Sequence, residues 1–119
     1  MKIAVTYENG QVFQHFGHTE QFKIYEAAEG KVVSARVVET GGSGHGALAG
    51  FLRGLGVDTL ICGGIGGGAS SALAEAGIQL YPGASGSADA QVEALLDGSL
   101  AYDPNTVCSH HDHGEGHTC

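Results

Sequence analysis

Residues 58–77 read DTLICGGIGGGASSALAEAG, and this stretch decides the architecture. Thr59, Leu60, Ile61 and Cys62 form a short apolar run, the pattern of a strand covered on both faces. Gly63, Gly64, Ile65, Gly66, Gly67 and Gly68 follow. Ala69, Ala72, Leu73 and Ala76 then recur at helical spacing, and Gly77 supplies the stop. The unit is strand, glycine loop, helix. Glycines at that junction permit a tight turn. They also let backbone N–H groups approach a ligand closely at a helix N-terminus, where an anion is favoured.

The same grammar extends in both directions. Residues 2–7 alternate Ile3, Val5 and Tyr7 as a strand, and Glu8-Asn9-Gly10 signals a turn. Residues 11–20 form a looser connection holding His15-Phe16-Gly17-His18. Residues 21–26 and the valine-rich residues 31–39 are two more strands joined by a short turn, so an antiparallel meander is expected. A glycine-rich segment, 41–46, precedes a helix with Leu48, Phe51, Leu52 and Leu55 on one face. Residues 79–81 form a fifth strand, 82–87 (PGASGS) another glycine loop, and 88–97 a third helix with Val92, Leu95 and Leu96 inward. The helix stops Gly56, Gly77 and Gly98 are evenly spaced by 21 residues, and Val57 and Ile78 supply the apolar contact that accompanies a left-handed glycine cap.

The predicted order is β-β-β-α-β-α-β-α. Strands linked through a helix run parallel with right-handed crossovers, whereas the short links reverse the second strand only. The expectation is a three-layer α/β fold of the ribonuclease H-like kind. Its mixed sheet has five strands in the order 3-2-1-4-5, strand 2 antiparallel, with three helices. The loops after strands 1, 3, 4 and 5, and the loop entering strand 2, then share one edge. Ligand sites of open α/β sheets gather at the carboxyl ends of the strands. His15, His18, His45 and Cys62 are therefore candidates for one cleft, walled by Gly64, Gly66 and Gly67. A strand cysteine beside Ile61 is more often a small buried apolar residue than a ligand.

Composition narrows the function. The chain has 119 residues, enough for one core, with 42% apolar and 15% charged residues. Five Lys and Arg against thirteen Asp and Glu give a formal charge of −8 and no basic stripe, which counts against nucleic acid or an anionic membrane as partner. No apolar run approaches membrane-spanning length, and the opening MKIAVTYENG lacks a signal-peptide core, so a cytoplasmic protein with reduced cysteines is expected. The glycines at 64–68 can be squeezed toward a dinucleotide fingerprint, but the next strand ends at Tyr81-Pro82 without the acidic residue that holds a ribose. Two-metal nuclease chemistry needs clustered carboxylates. Glu8 and Asp58 lie at opposite strand ends, roughly 15 Å apart at about 3.3 Å per residue. No nucleophile–base pair stands at a recognisable spacing either.

From Ala101 the composition breaks. Asp103-Pro104-Asn105 reads as a linker, and residues 108–119, CSHHDHGEGHTC, lack apolar periodicity. Cys108, His110, His111, Asp112, His113, Glu115, His117 and Cys119 are eight ligand types in twelve residues. Imidazole and thiolate suit Zn, Ni, Fe and iron–sulfur species. The spacing is not that of a zinc finger, whose ligands come in separated pairs. A Cys108–Cys119 disulfide requires an oxidising compartment. The expected organisation is a domain over 1–101 and a flexible His/Cys-rich metal-binding tail over 102–119.

Val12-Phe13-Gln14-His15-Phe16-Gly17 followed by Phe22-Lys23-Ile24-Tyr25-Glu26 resembles the opening of the dinitrogenase iron–molybdenum cofactor biosynthesis family, which includes NifX, NafY and the C-terminal domain of NifB. Gly44-His45-Gly46-Ala47-Leu48, Gly56-Val57-Asp58 through Ile61-Cys62-Gly63-Gly64-Ile65-Gly66, and Gly77-Ile78 are similar to its later blocks. The resemblance covers about residues 1–100. It implies a ribonuclease H-like fold without nuclease function that binds or carries an iron–sulfur or molybdenum–iron–sulfur cluster, with donor or acceptor proteins for that cluster as partners. The family's motif histidine corresponds to His15. The reading is a non-enzymatic cluster carrier with His15 as first ligand. The alternatives are a metal-ion chaperone or buffer acting through Cys108, His110, His111, His113, His117 and Cys119, and an enzyme acting on a small anionic metabolite.

Overall fold

The structure is a computed structural model that describes residues 1–41, 45–103 and 107–108. In chain order the elements are β1 (Lys2–Glu8), β2 (Gln11–Val12), a 3-10 turn (Phe16–His18), β3 (Gln21–Ala28), β4 (Lys31–Glu39), α1 (His45–Gly54), β5 (Thr59–Ile61), β6 (Ile65–Gly66), α2 (Gly67–Glu75), β7 (Gln79–Tyr81), α3 (Ala88–Asp97) and β8 (Val107–Cys108).

The main sheet runs β4-β3-β1-β5-β7. β3 is antiparallel to both β1 and β4, whereas β1, β5 and β7 are parallel. This is the expected order, with the second long strand reversed. β1 is central, and Ile3, Ala4 and Val5 are fully buried because both of its faces are covered. On one face Ala4, Phe22 and Leu60 pack with Leu48 and Leu52 of α1 and Leu73 of α2. On the other, Ile3, Val5 and Tyr25 pack with Ala88 and Val92 of α3. The three layers follow directly from this division of side chains.

All three helices stop at the expected glycines. Gly56, Gly77 and Gly98 have φ of +80°, +79° and +85°. The N–H groups of Val57, Ile78 and Ser99 donate back to Leu52, Leu73 and Ala94, so each cap recovers a carbonyl that the helix end would leave unpaired.

Two differences from the sequence reading matter. The connection 11–20 is not simply loose. Asn9 and Gly10 form a two-residue turn, and Gln11 and Val12 pair back onto Glu8 and Tyr7 as β2. The glycine stretch is also more ordered than a loop. Ile65 and Gly66 form β6, and Gly67 already begins α2. β6 pairs in parallel with β8, with Ile65 opposite Val107 and Gly66 opposite Cys108. Periodicity could not show this pairing, because two-residue strands carry no period.

β4 is the outermost strand. It pairs with β3 on one side, and no described residue pairs with its other edge. Eight of its nine residues are exposed, and only Val38 is half-buried.

Candidate functional site

Three loops converge at the carboxyl edge of β1, β5 and β7 because their backbones bond to one another. The Gly64 N–H donates to the Gln14 carbonyl at 2.6 Å, and the Phe16 N–H donates to the Gly64 carbonyl at 2.9 Å. His15 and Gly64 thereby form a parallel bridge. The Gly83 N–H donates to the Gly63 carbonyl, and the Val12 N–H to the Gly86 carbonyl. Gln14 fastens the junction, its amide nitrogen donating to the carbonyls of Val12 at 3.1 Å and Ala84 at 3.2 Å. Sequence reasoning passed over Gln14. Only its place between two bonded loops gives it this role.

This packing explains some glycines and not others. A Cβ on Gly63 would stand 2.6 Å from Gln14 Cα, and one on Gly64 would stand 3.0 Å from the Gln14 carbonyl oxygen. Both positions are glycine because two backbones approach there. A Cβ on Gly66 or Gly68 would meet nothing within 4 Å. Gly66 is also the N-cap of α2, at φ −81°, with no side-chain cap. The fold therefore leaves open space beside the first N–H groups of α2, which a side chain could otherwise cap.

His15 and His18 flank this space from the 3-10 turn. Phe16, between them in sequence, is buried and packs on Phe22 with ring centroids 6.0 Å apart. Anchoring Phe16 inward leaves both imidazoles exposed, their ring centroids 6.4 Å apart in an edge-to-face arrangement. Phe13 supports His15 from its other side at 6.0 Å. α1, whose first residue is His45, packs against the same 3-10 turn.

Cys62 is separated from these groups. It is fully buried in the cluster with Ala4, Leu60 and Leu73. Burial pushes its thiol up to about 12, so it is a neutral core group at physiological pH. A thiolate ligand at Cys62 would have to leave the core, and the apolar alternative stated for this residue is the one that matches its surroundings. Cys108 lies by its backbone opposite Gly66, at the same glycine segment. His110, His111, His113, His117 and Cys119 lie outside the described residues, as do Gly42, Ser43 and Gly44.

Among the described residues no three His, Cys, Asp or Glu side chains gather to hold a metal ion. What this edge offers is a pair of accessible imidazoles, an open stretch of glycine backbone and an uncapped helix N-terminus. Such a set suits a large anionic group with several contact points better than a single caged ion. A shallow groove of about 410 Å³ lies at the amino end of β7, between Ser70, Ala74 and Gln79, on the opposite edge of the sheet. No helix among the described residues is long and apolar enough to cross a membrane.

The fold and this rim define a three-layer α/β domain whose glycine loops and exposed histidines gather at the carboxyl ends of the strands. Residues 1–98 match the family described as dinitrogenase iron-molybdenum cofactor, and the chain belongs to that family. An uncharacterized protein of Methanocaldococcus jannaschii is 32% identical over 105 residues, 84% of this chain and 89% of that protein. The FeMo cofactor biosynthesis protein NifB of Sinorhizobium fredii is 40% identical over 87 residues, 66% of this chain but 18% of NifB, so the likeness is to one part of a much longer protein. Among solved structures, the apo form of the orange protein from Desulfovibrio gigas superposes with a TM-score of 0.74 at 30% identity, covering 87% of this chain and 92% of that one.

Proposed function

We propose that the protein is a non-enzymatic carrier of an iron–sulfur or molybdenum–iron–sulfur cluster in cofactor assembly, receiving it from and passing it to other cluster-handling proteins. The observation that carries this reading is the placement of exposed His15 and His18 beside glycine positions, Gly66 and Gly68, that the fold itself does not require to be glycine. His15 is the first ligand, and His18 the second. The N–H groups at the start of α2, from Gly67 onward, donate to sulfide or oxo groups of the anionic cluster. Binding through backbone donors suits a chain with only five Lys and Arg, two of which are engaged: Lys2 with the Leu55 carbonyl and Lys23 with Asp89. Membership of the family and the likeness to part of NifB support an assembly role.

A second reading is favoured by β8. The tail over 102–119 binds a divalent transition metal such as Zn, Ni or Fe, and the pairing of Cys108 with Gly66 tethers that tail to the cleft. The two readings separate under anaerobic titration. The full chain, a truncation after Val107 and His15→Ala are each titrated with reconstituted iron–sulfur cluster and with Zn2+ or Ni2+. Cluster carriage by the cleft requires the truncation to retain cluster binding. It also requires His15→Ala to weaken binding by about tenfold or more, the usual effect of losing one ligand contact. If truncation removes all binding and His15→Ala changes nothing, the tail is the site and the protein is a metal chaperone or buffer.

A further inference from the structure

His15 and Cys108, distant in sequence, are joined through the glycine segment. Gly64 turns both its backbone groups toward residues 14–16. Its N–H donates to the Gln14 carbonyl, and its carbonyl accepts from the Phe16 N–H. His15 thereby stands opposite Gly64 in parallel register. In an extended chain the backbone groups of the next residue point to the other side. There Ile65 and Gly66 pair with Val107 and Cys108, also in parallel. Residues 64–66 are thus the middle of a three-chain ribbon, with His15 on one margin and Cys108 on the other.

Alternation along extended chains sorts this ribbon into two faces. Phe16 and Ile65 belong to the inner face and are buried. His15, Gly64 and Gly66 belong to the outer face, where His15 is exposed and neither glycine adds a side chain. The register position opposite Gly66 is on the outer face too, and Cys108 occupies it. We propose that Cys108 is the thiolate ligand of the cleft, so that the C-terminal segment and the histidine turn hold one cargo between them across a glycine floor. This rests on the reading that the cleft carries a cluster.

Two further observations support the assignment. The first is that the fold leads the chain to this position. After α3 the Ser99 N–H donates to the Ala94 carbonyl, and Leu100 packs against the core cluster of Ile3 and Val92. The Tyr102 ring meets that of Tyr81 edge-on, with centroids 4.9 Å apart, and the Asp103 N–H donates to the Pro82 carbonyl at 2.8 Å. Residues 99–103 therefore cross the carboxyl end of β7 ahead of β8, and β8 lies in contact with α2. The second is separation. Two strand spacings of about 4.8 Å and an offset of two residues at about 3.3 Å each place the backbones of His15 and Cys108 about 12 Å apart. Metal bonds to imidazole and thiolate are only about 2.0–2.3 Å long. Ligands rooted that far apart on one face reach the two ends of a polynuclear cluster and do not close on a single ion. On binding, the thiol gives its proton to solvent, and the thiolate displaces a solvent or donor-protein ligand from the metal.

The test titrates the full chain anaerobically with a synthetic thiolate-capped iron–sulfur cluster and follows visible absorption. Cys108→Ser should weaken binding about tenfold, and truncation after Val107 should retain binding through the histidines with the same loss. Truncation after Cys108, and Cys119→Ser, should bind within about twofold of the full chain. An iodoacetamide pulse should alkylate Cys108 in the empty chain and spare it in the loaded one. Tyr102→Ala releases residues 99–103 from Tyr81. As a positioning residue acting through Cys108, it should weaken binding severalfold in the otherwise native chain and add nothing to Cys108→Ser. If His15→Ala weakens binding and Cys108→Ser does not, the cleft carries the cluster and the assignment of Cys108 is overturned. If neither variant weakens it, or the full chain takes up no cluster, the cleft reading falls as well. Equal alkylation of Cys108 in empty and loaded chains overturns the assignment, as does a truncation after Cys108 that loses as much affinity as the one after Val107.

Discussion

At the scale of the residue, the four His and Cys positions of the cleft reading divide by what surrounds them. His15 and His18 are exposed because Phe16 takes the inward position between them. Cys62 is buried because it directly follows β5 and packs into the cluster under α1 and α2. The strand pattern over 59–62 left the cysteine open between a ligand and a small apolar residue, and its full burial favours the second. Its consequence is measurable. Of the three cysteines, Cys62 should resist alkylation at pH 8 in the native protein and react only on denaturation, since a thiol pushed up to about 12 presents almost no thiolate. Mass spectrometry after a timed iodoacetamide pulse reads this directly. Modification of Cys62 at the rate of a free thiol would show that the cleft opens to the core, and would return it to the ligand set.

At the scale of the element, the glycine stretch performs two tasks within six residues. Gly63 and Gly64 serve the fold, and Gly66 and Gly68 leave the open space that the proposed site uses. Substitution separates the tasks. Gly63→Ala drives a Cβ into the Gln14 backbone and should cost about 2–4 kcal/mol, lowering the thermal midpoint. Gly66→Ala meets no atom and has an ordinary φ, so its effect on stability should stay within about 1 kcal/mol, the deficit of alanine at an N-cap, while cluster affinity falls. Equal affinity in wild type and Gly66→Ala would remove this stretch from the proposed site. These elements also show how far sequence carries. The strands 31–39 and 79–81, the helix 88–97 and the three glycine stops are legible because each has a period or a cap that acts locally. The strand directions followed from connection rules, and the sheet order from the ribonuclease H-like pattern that those directions match. β6 and β8 were not legible, because two-residue strands exist there only through a partner distant in sequence, and β2, folded back across Asn9-Gly10, was read only as a turn and a loose connection. The convergence of His15 and His18 on the glycine segment was foreseen from strand direction. The Gln14 clamp that holds them there depends on side-chain bonds to two separate loops, which no local pattern encodes.

At the scale of the whole molecule, the sheet carries one buried acid on each face, and together they set how stability depends on pH. Cys62 lies in the cluster under α1 and α2, and Tyr25 in the cluster under α3. Burial raises both, and the hydroxyl of Tyr25 is raised further by donating to Asp89 at 2.5 Å. A group whose folded value is raised favours its neutral form in the native state. Its contribution is therefore complete below the unfolded value and is lost as pH rises above it. For Cys62 the loss begins near the unfolded value of 9.0 and runs to about 12. For Tyr25 it begins near 10.0. Asp89 behaves oppositely. The hydrogen bond from Lys23, then that from Tyr25, holds its carboxyl low, so its contribution is present above 3.8 and lost as pH falls below it. That acid limb should be shallow, because the Asp89 side chain is 62% exposed and its pair with Lys23 is screened by water. The alkaline limb should be steep. At about pH 11, two units above the unfolded value, Cys62 alone accounts for about 3 kcal/mol at about 1.4 kcal/mol per unit. Thermal unfolding followed by circular dichroism from neutral to alkaline pH, in reductant, should show the midpoint falling steeply above pH 9. In Cys62→Ala the neutral midpoint should drop modestly, from a small cavity, and the alkaline fall should become shallower. Tyr25→Phe should likewise flatten the limb, with the change starting about one unit higher. An alkaline limb identical in wild type and both variants would mean that other groups carry the charge into the unfolded state, and that neither face of the sheet controls the transition.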